Sequence, residues 1–189
     1  MSAQDSKLFV ISGPSGAGKG TLVTRVRERR SNLGLTVSAT TRAPRKGEVD
    51  GVNYFFLTRE EFDRRVANGE FVEWAEVHGN CYGTLVSEVQ SKLASGSSLI
   101  LEIDVQGALQ VKERFPEAVL IFIKPPSLEV LRERLVGRGT ETPETIELRM
   151  ANAADELALA DRSDDVVVND DLDRATDELV RVLDMHERI

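Results

Sequence analysis

Residues 8–30 read LFVISGPSGAGKGTLVTRVRERR, an apolar run, a glycine-rich turn and then a helical pattern. Lys7 to Ser12 suits a strand buried on both faces, and Thr21 to Arg30 suits a helix. Between them, Gly13, Pro14, Ser15, Gly16, Ala17, Gly18 and Lys19 follow the glycine-rich half of a phosphate-binding loop. The mechanism is physical: glycines free main-chain N–H groups to surround phosphate oxygens, the helix N-terminus adds a favourable dipole, and lysine supplies a mobile charge. One position departs from the pattern. The Ser or Thr that normally follows the lysine and ligates magnesium is Gly20 here, with Thr21 next.

Working outward, similar apolar runs recur at Leu35 to Ser38, Ser98 to Ile103, Ala118 to Ile123 and Asp165 to Val168, separated by helical or inserted sequence. Such alternation predicts an α/β fold, a parallel five-stranded sheet flanked by helices. Helix ends are marked by Thr58 with Glu61 at the start and Asn68-Gly69 at the stop, by Ser127 before a helix ending near Gly137, and by Thr142-Pro143. A last helix runs from about Leu172 to His186, with Ala175, Leu179, Val182, Leu183 and His186 on one face. Asn53 to Phe56 and Phe71 to Val77 read as strands flanking the capped helix, so the block from Ser38 to Glu88 breaks the alternation and reads as an inserted mixed α+β lobe. The expected organisation is a core of 1–37, 89–136 and 150–189, a lobe of 38–88 and a short lid of 137–149.

Composition narrows the function. A length of 189 residues, 41% of them hydrophobic and 30% charged, is that of a soluble domain with its own core. No apolar run reaches the roughly 20 residues of a membrane span, and the polar start lacks a signal peptide's apolar stretch, so no membrane partner and a cytoplasmic location are expected. The net charge of −8 opposes general nucleic-acid binding. One cysteine, Cys81, allows no internal disulfide.

Further residues carry chemistry. Arg42 and Arg45 lie three apart in a loop and suit a bidentate grip on phosphate. Glu102 and Asp104 follow the apolar run at 98–101, at the carboxyl end of a predicted parallel strand where open α/β sheets bind ligands. Glu73 lies in a hydrophobic strand, where a carboxylate can accept the N1–H and N2–H pair of guanine, and Tyr82, Gly83 and Thr84 follow shortly after. Arg138 and Arg149 bracket a Gly- and Thr-rich segment that suits a closing lid in phosphoryl transfer.

Together GPSGAGK, SATTRAPRKGEVDGVNYFF, EFVEWAEVHGNCYGT, LEIDVQG, RLVGRGTET and VNDDLD resemble, in order, the motifs of the guanylate kinase family, over about Leu8 to Asp173. The resemblance implies a P-loop NTPase-type fold whose lobe binds GMP and whose loop, residues 13–21, binds ATP with Mg2+. The activity it implies is transfer of the γ-phosphoryl group of ATP to GMP, with dGMP a plausible second acceptor. By the same resemblance Ser38, Glu73 and Thr84, with Gly83 beside them, read guanine, and Arg42, Arg45, Tyr54 and Tyr82 hold the GMP phosphate. Lys19, Arg42, Arg138 and Arg149 serve catalysis, and Asn169 lies near adenine. Glu102 and Asp104 match the family's acidic pair. Asp104 is assigned to magnesium through water, while which of the two meets guanine stays open. Cys81 stands where tyrosine is usual. Two alternatives are a non-catalytic GMP-binding scaffold module and a monophosphate kinase of other base preference.

Overall fold

A computed structural model describes residues 6–77, 79–137 and 142–187. In chain order the elements are β1 (Leu8–Ser12), α1 (Lys19–Arg29), β2 (Gly34–Leu35), β3 (Ala39–Thr40), β4 (Phe55–Phe56), α2 (Arg59–Ala67), β5 (Phe71–Val77), β6 (Asn80–Leu85) and α3 (Val86–Ala94). They continue with β7 (Leu99–Glu102), α4 (Val105–Arg114), β8 (Val119–Lys124), α5 (Leu128–Gly137), α6 (Pro143–Ala158), β9 (Asp165–Val168) and α7 (Leu172–Glu187).

The first sheet has five strands in the order β2-β7-β1-β8-β9, and every pairing is parallel. All five residues of β1 are buried because helices cover both faces. Successive side chains of a strand point to opposite sides, so β1 feeds two cores. Phe9 and Ile11 pack with Leu22 and Val26 of α1 and Leu179 and Leu183 of α7, whereas Leu8 and Val10 pack with Val89 of α3 and Ala108 and Val111 of α4. Along the seam between α1 and α7, Arg25 meets Asp173, Arg29 meets Asp177 and Arg30 meets Asp184 and Glu187. The first two pairs are open to solvent and contribute at most about 1 kcal/mol each, so the apolar contacts beneath them carry this interface.

A second sheet, ordered β4-β3-β6-β5, mixes one parallel pairing with two antiparallel ones. It packs on α2 through Phe62, whose ring stacks on Phe71 at a centroid distance of 4.3 Å. The Thr58 cap is present, its hydroxyl accepting the Glu61 N–H at 3.1 Å. β5 crosses from one core to the other: Phe71 belongs to the small cluster under α2 and Val72 to the cluster under α4, with a register shift between Phe71 and Glu73.

Three details differ from the sequence reading. The first helix begins at Lys19, two residues before Thr21, because Gly18 acts as its cap. The run 35–38 is not a strand. Only Gly34–Leu35 pairs in the first sheet, and the Val37 amide donates instead to the Glu88 carboxylate at 3.0 Å as the chain passes between the sheets. In 53–56 only Phe55–Phe56 forms a strand, preceded by a bridge between Asp50 and Tyr54. No described helix is long and apolar enough to cross a membrane.

Leu179, fully buried between α7 and the sheet, sets a test of this packing: Leu179→Ala is expected to lower unfolding free energy by about 2–5 kcal/mol, read by urea titration.

Candidate active site

The loop between β1 and α1 opens at the carboxyl end of the parallel sheet. Gly18 caps α1 at φ 90°, the left-handed region that favours glycine, and a Cβ there would collide with the Asn169 amide. Helix α1 has no side-chain cap and no acidic residue in its first turn. By contrast Thr58, Asp104 and Thr142 cap α2, α4 and α6. The positive end of α1 is therefore left to an external anion. Gly13 and Pro14 are buried, and the Pro14 carbonyl accepts the Ala17 N–H at 3.1 Å. Lys19 folds back over the loop, with Nζ donating to the carbonyls of Gly13 at 2.5 Å and Pro14 at 3.2 Å.

Two other elements brace this loop. Asn169, 6% exposed at the end of β9, donates from Nδ2 to the Ala17 carbonyl at 2.8 Å. Arg134 of α5 donates to the Asn169 carbonyl at 2.8 Å and reaches toward the Ala17 carbonyl. The sequence reading missed Arg134, whose role shows only in its contacts with the loop and with Asn169. Arg149 of α6 donates to the Ser15 hydroxyl. Arg138 lies outside the described residues.

A cavity of about 340 Å³ at the loop is lined by Ser15, Gly16, Gly18, Lys19, Gly20, Thr21 and Glu102. Glu102 stands beside Gly20, where a Cβ would lie 3.4 Å from its carboxylate. Crowding by protein raises its pKa, and Lys19 opposes the rise. A second cavity of about 440 Å³ shares Gly20 and Glu102 and extends to Ser38, Tyr54 and Ile103. The two spaces meet at Glu102.

Asp104 sits elsewhere. Its carboxylate caps α4 by accepting the Gly107 N–H at 2.7 Å. A Cβ on Gly107 would lie 3.4 Å from Asp104 Oδ1 and 3.5 Å from Glu73 Oε2, so both carboxylates border the space over this glycine. Burial raises the Glu73 pKa, the Thr84 side chain opposes this, and Asp104 adds to it. Thr84, paired with Glu73 across β5 and β6, has a buried hydroxyl with no well-formed hydrogen bond among the described residues. It lies close enough to Glu73 to favour the charged form without closing a bond of good geometry. Gly83, also buried, packs against the Glu73 carbonyl. Glu156 of α6 was not anticipated. Burial raises its pKa as well, Lys19 opposing and Asp104 adding, which places it toward the same cleft.

On the lobe, Arg42 lies 5.4 Å from the centroid of the Tyr54 ring, and Tyr54 meets Tyr82 edge-on at 6.2 Å. Arg45 is exposed on the following turn, its amide bonded to Glu48. Cys81 fills the packing under α2 and is fully buried. The site thus offers an open helix N-terminus with a lysine, a cationic loop backed by tyrosines, and two carboxylates, Glu73 half-buried and Asp104 exposed, beside the buried Thr84 hydroxyl. This chemistry suits two phosphate-bearing ligands, one of which presents N–H donors.

The family model described as guanylate kinase matches residues 5–186. A guanylate kinase of Gloeobacter violaceus is 57% identical over 94% of this chain and 87% of its own length. One of Halalkalibacterium halodurans is 51% identical over 97% and 90%. The crystal structure of guanylate kinase from Anaplasma phagocytophilum superposes with a TM-score of 0.72 at 36% identity, covering 96% of this chain and 86% of that one. With the family model spanning nearly the whole chain, these relatives and the shared fold, the chain belongs to the guanylate kinase family.

Proposed function

We propose that the protein transfers the γ-phosphoryl group of ATP directly to GMP, giving ADP and GDP. The observation that carries this reading is the pocket of Glu73, Asp104 and Thr84. Two carboxylates and an unsatisfied buried hydroxyl match the N1–H, N2–H and acceptor edge of guanine, and adenine would leave the carboxylates unpaired. In this reading Asp104 serves guanine rather than magnesium, because its carboxylate converges with Glu73 across Gly107. Ser38 lines the adjoining space, and Arg42, Arg45, Tyr54 and Tyr82 take the GMP phosphate.

The γ-phosphate acceptor is an ionised phosphate oxygen, so no general base is assigned. Lys19 leaves the loop carbonyls for the ATP phosphates, Arg149 reaches them from beside Ser15, and Arg138 joins from the lid. Asn169 and Arg134 keep the Ala17 carbonyl fixed, which holds the loop's N–H groups in register. The residues fit a magnesium ion that arrives with ATP. Among the described residues no cluster of three acidic or histidine groups could cage a metal, while the Glu102 carboxylate and the exposed Thr21 hydroxyl face the loop cavity. When bound, the ion neutralises charge on the β- and γ-phosphates.

In a coupled assay with Mg-ATP, turnover should be confined to GMP and dGMP among GMP, dGMP, AMP, CMP and UMP, and Lys19→Ala should abolish it. Silence with every acceptor alongside GMP binding would favour the scaffold module. Arg149→Ala should lower kcat by roughly 10³-fold or more, by analogy with other arginines at phosphoryl transfer; a change of only a few-fold in stopped-flow turnover would remove it from catalysis.

Glu73→Gln should lose GMP yet stabilise the protein without nucleotide at neutral pH. The folded pKa of Glu73 lies above its ordinary 4.5. Its destabilising effect is therefore absent below the ordinary 4.5, grows as pH rises from there to the folded value, and is constant above it. Melting curves of variant and wild type should converge at acid pH and separate toward pH 7. Equal stability at neutral pH would contradict the burial argument.

A further inference from the structure

The loop 42–48 contains a carboxylate that faces neither guanine nor ATP. Glu48 bridges the two arginines: its Oε1 accepts from Arg42 Nη2 at 2.9 Å and its Oε2 accepts from the Arg45 amide at 2.7 Å. The Glu48 amide donates back to the Arg45 carbonyl at 3.0 Å, closing the turn. The Arg42 guanidinium is fixed further by Nη1 on the Ala43 carbonyl at 2.8 Å and lies against the Tyr54 and Phe56 rings, at 5.4 and 5.9 Å from their centroids. Side-chain exposures of 15% for Arg42 and 19% for Glu48 distinguish this pair from the open ion pairs on α2.

We propose that Glu48 is a positioning residue for the acceptor phosphate, holding the Arg42 guanidinium and the Arg45 main chain in the geometry that receives it. The proposal rests on the reading of the lobe as the GMP site. A carboxylate beside an anion site would be counterproductive if charge alone mattered, because it offsets part of the attraction. Its value lies in order. An arginine loses rotamer freedom when it grips a ligand, and a guanidinium already fixed in plane and orientation loses less. Because one carboxylate holds a side chain and a neighbouring amide at once, it couples the two arms of the fork. The bond to Arg42 holds the Glu48 carboxyl below its ordinary pKa, and the Arg45 amide adds to this, so the clamp stays charged at neutral pH.

The test compares wild type, Glu48→Gln and Glu48→Ala by steady-state kinetics and by NMR titration with GMP and with guanosine, which lacks the phosphate. Loss of a charge-assisted hydrogen bond predicts a KM for GMP roughly ten- to a hundredfold higher in Glu48→Ala, and a smaller rise in Glu48→Gln, which keeps one acceptor oxygen. The KM for ATP and the guanosine affinity should stay within about twofold. A KM for GMP that does not move in either variant overturns the proposal, as does guanosine binding that falls in parallel with GMP. A Glu48→Gln chain that fails to fold also counts against it, since a residue confined to one exposed turn would not carry the lobe. Wild-type protein that binds GMP no better than guanosine would overturn the reading of the lobe itself.

Discussion

The start of α1, left without a side-chain cap, is the constraint around which the molecule is arranged. A helix terminus leaves donors without partners, and at α2, α4 and α6 a threonine or aspartate supplies an acceptor. Here β1 delivers the helix out of a fully buried sheet, and a left-handed glycine takes the capping place. Holding such a terminus open requires rigid surroundings. The Asn169 amide and the Arg134 guanidinium provide them by gripping the Ala17 and Asn169 carbonyls from the end of the edge strand β9 and from α5.

The same logic recurs among the carboxylates of the site with the sign reversed. Glu73, Glu102 and Glu156 are all held above the ordinary carboxylate range by burial. A folded chain tolerates such groups where a ligand supplies what water no longer can, and Thr84 with its unsatisfied hydroxyl belongs to the same class. Lys19 lies within reach of Glu102 and Glu156 and opposes the rise in both.

What could be read from sequence was what is local. The strand, loop and helix of residues 8–30, the caps at Thr58 and Thr142 and the face of α7 are written in neighbouring residues, and all appear in the fold. Elements with mixed signals were lost. β6, Asn80–Leu85, carries Asn and Gly and no alternation, and α4 holds Gly107 in its first turn, a residue that weakens a helical pattern. Contacts between distant segments were beyond reach. Glu73, Thr84, Asp104 and Gly107 come from three elements and meet only after folding, and the resemblance alone could not divide Glu102 from Asp104. Glu48 sits in a charged run, RKGEVD, that reads as ordinary surface. Its two acceptor roles exist only in three dimensions.

The register shift in β5 bears on how separable the lobe is. Phe71 is committed to the cluster under α2, Val72 to the one under α4, and Glu73 to the pocket between. Three consecutive residues thus answer to three different environments, and none of them is free to drift. For anyone recombining relatives to alter base preference, the lobe is not a cassette. A chimera joined within 71–73 would mismatch one core or the other, so the exchangeable unit has to carry β5 together with the α4 face on which Val72 rests.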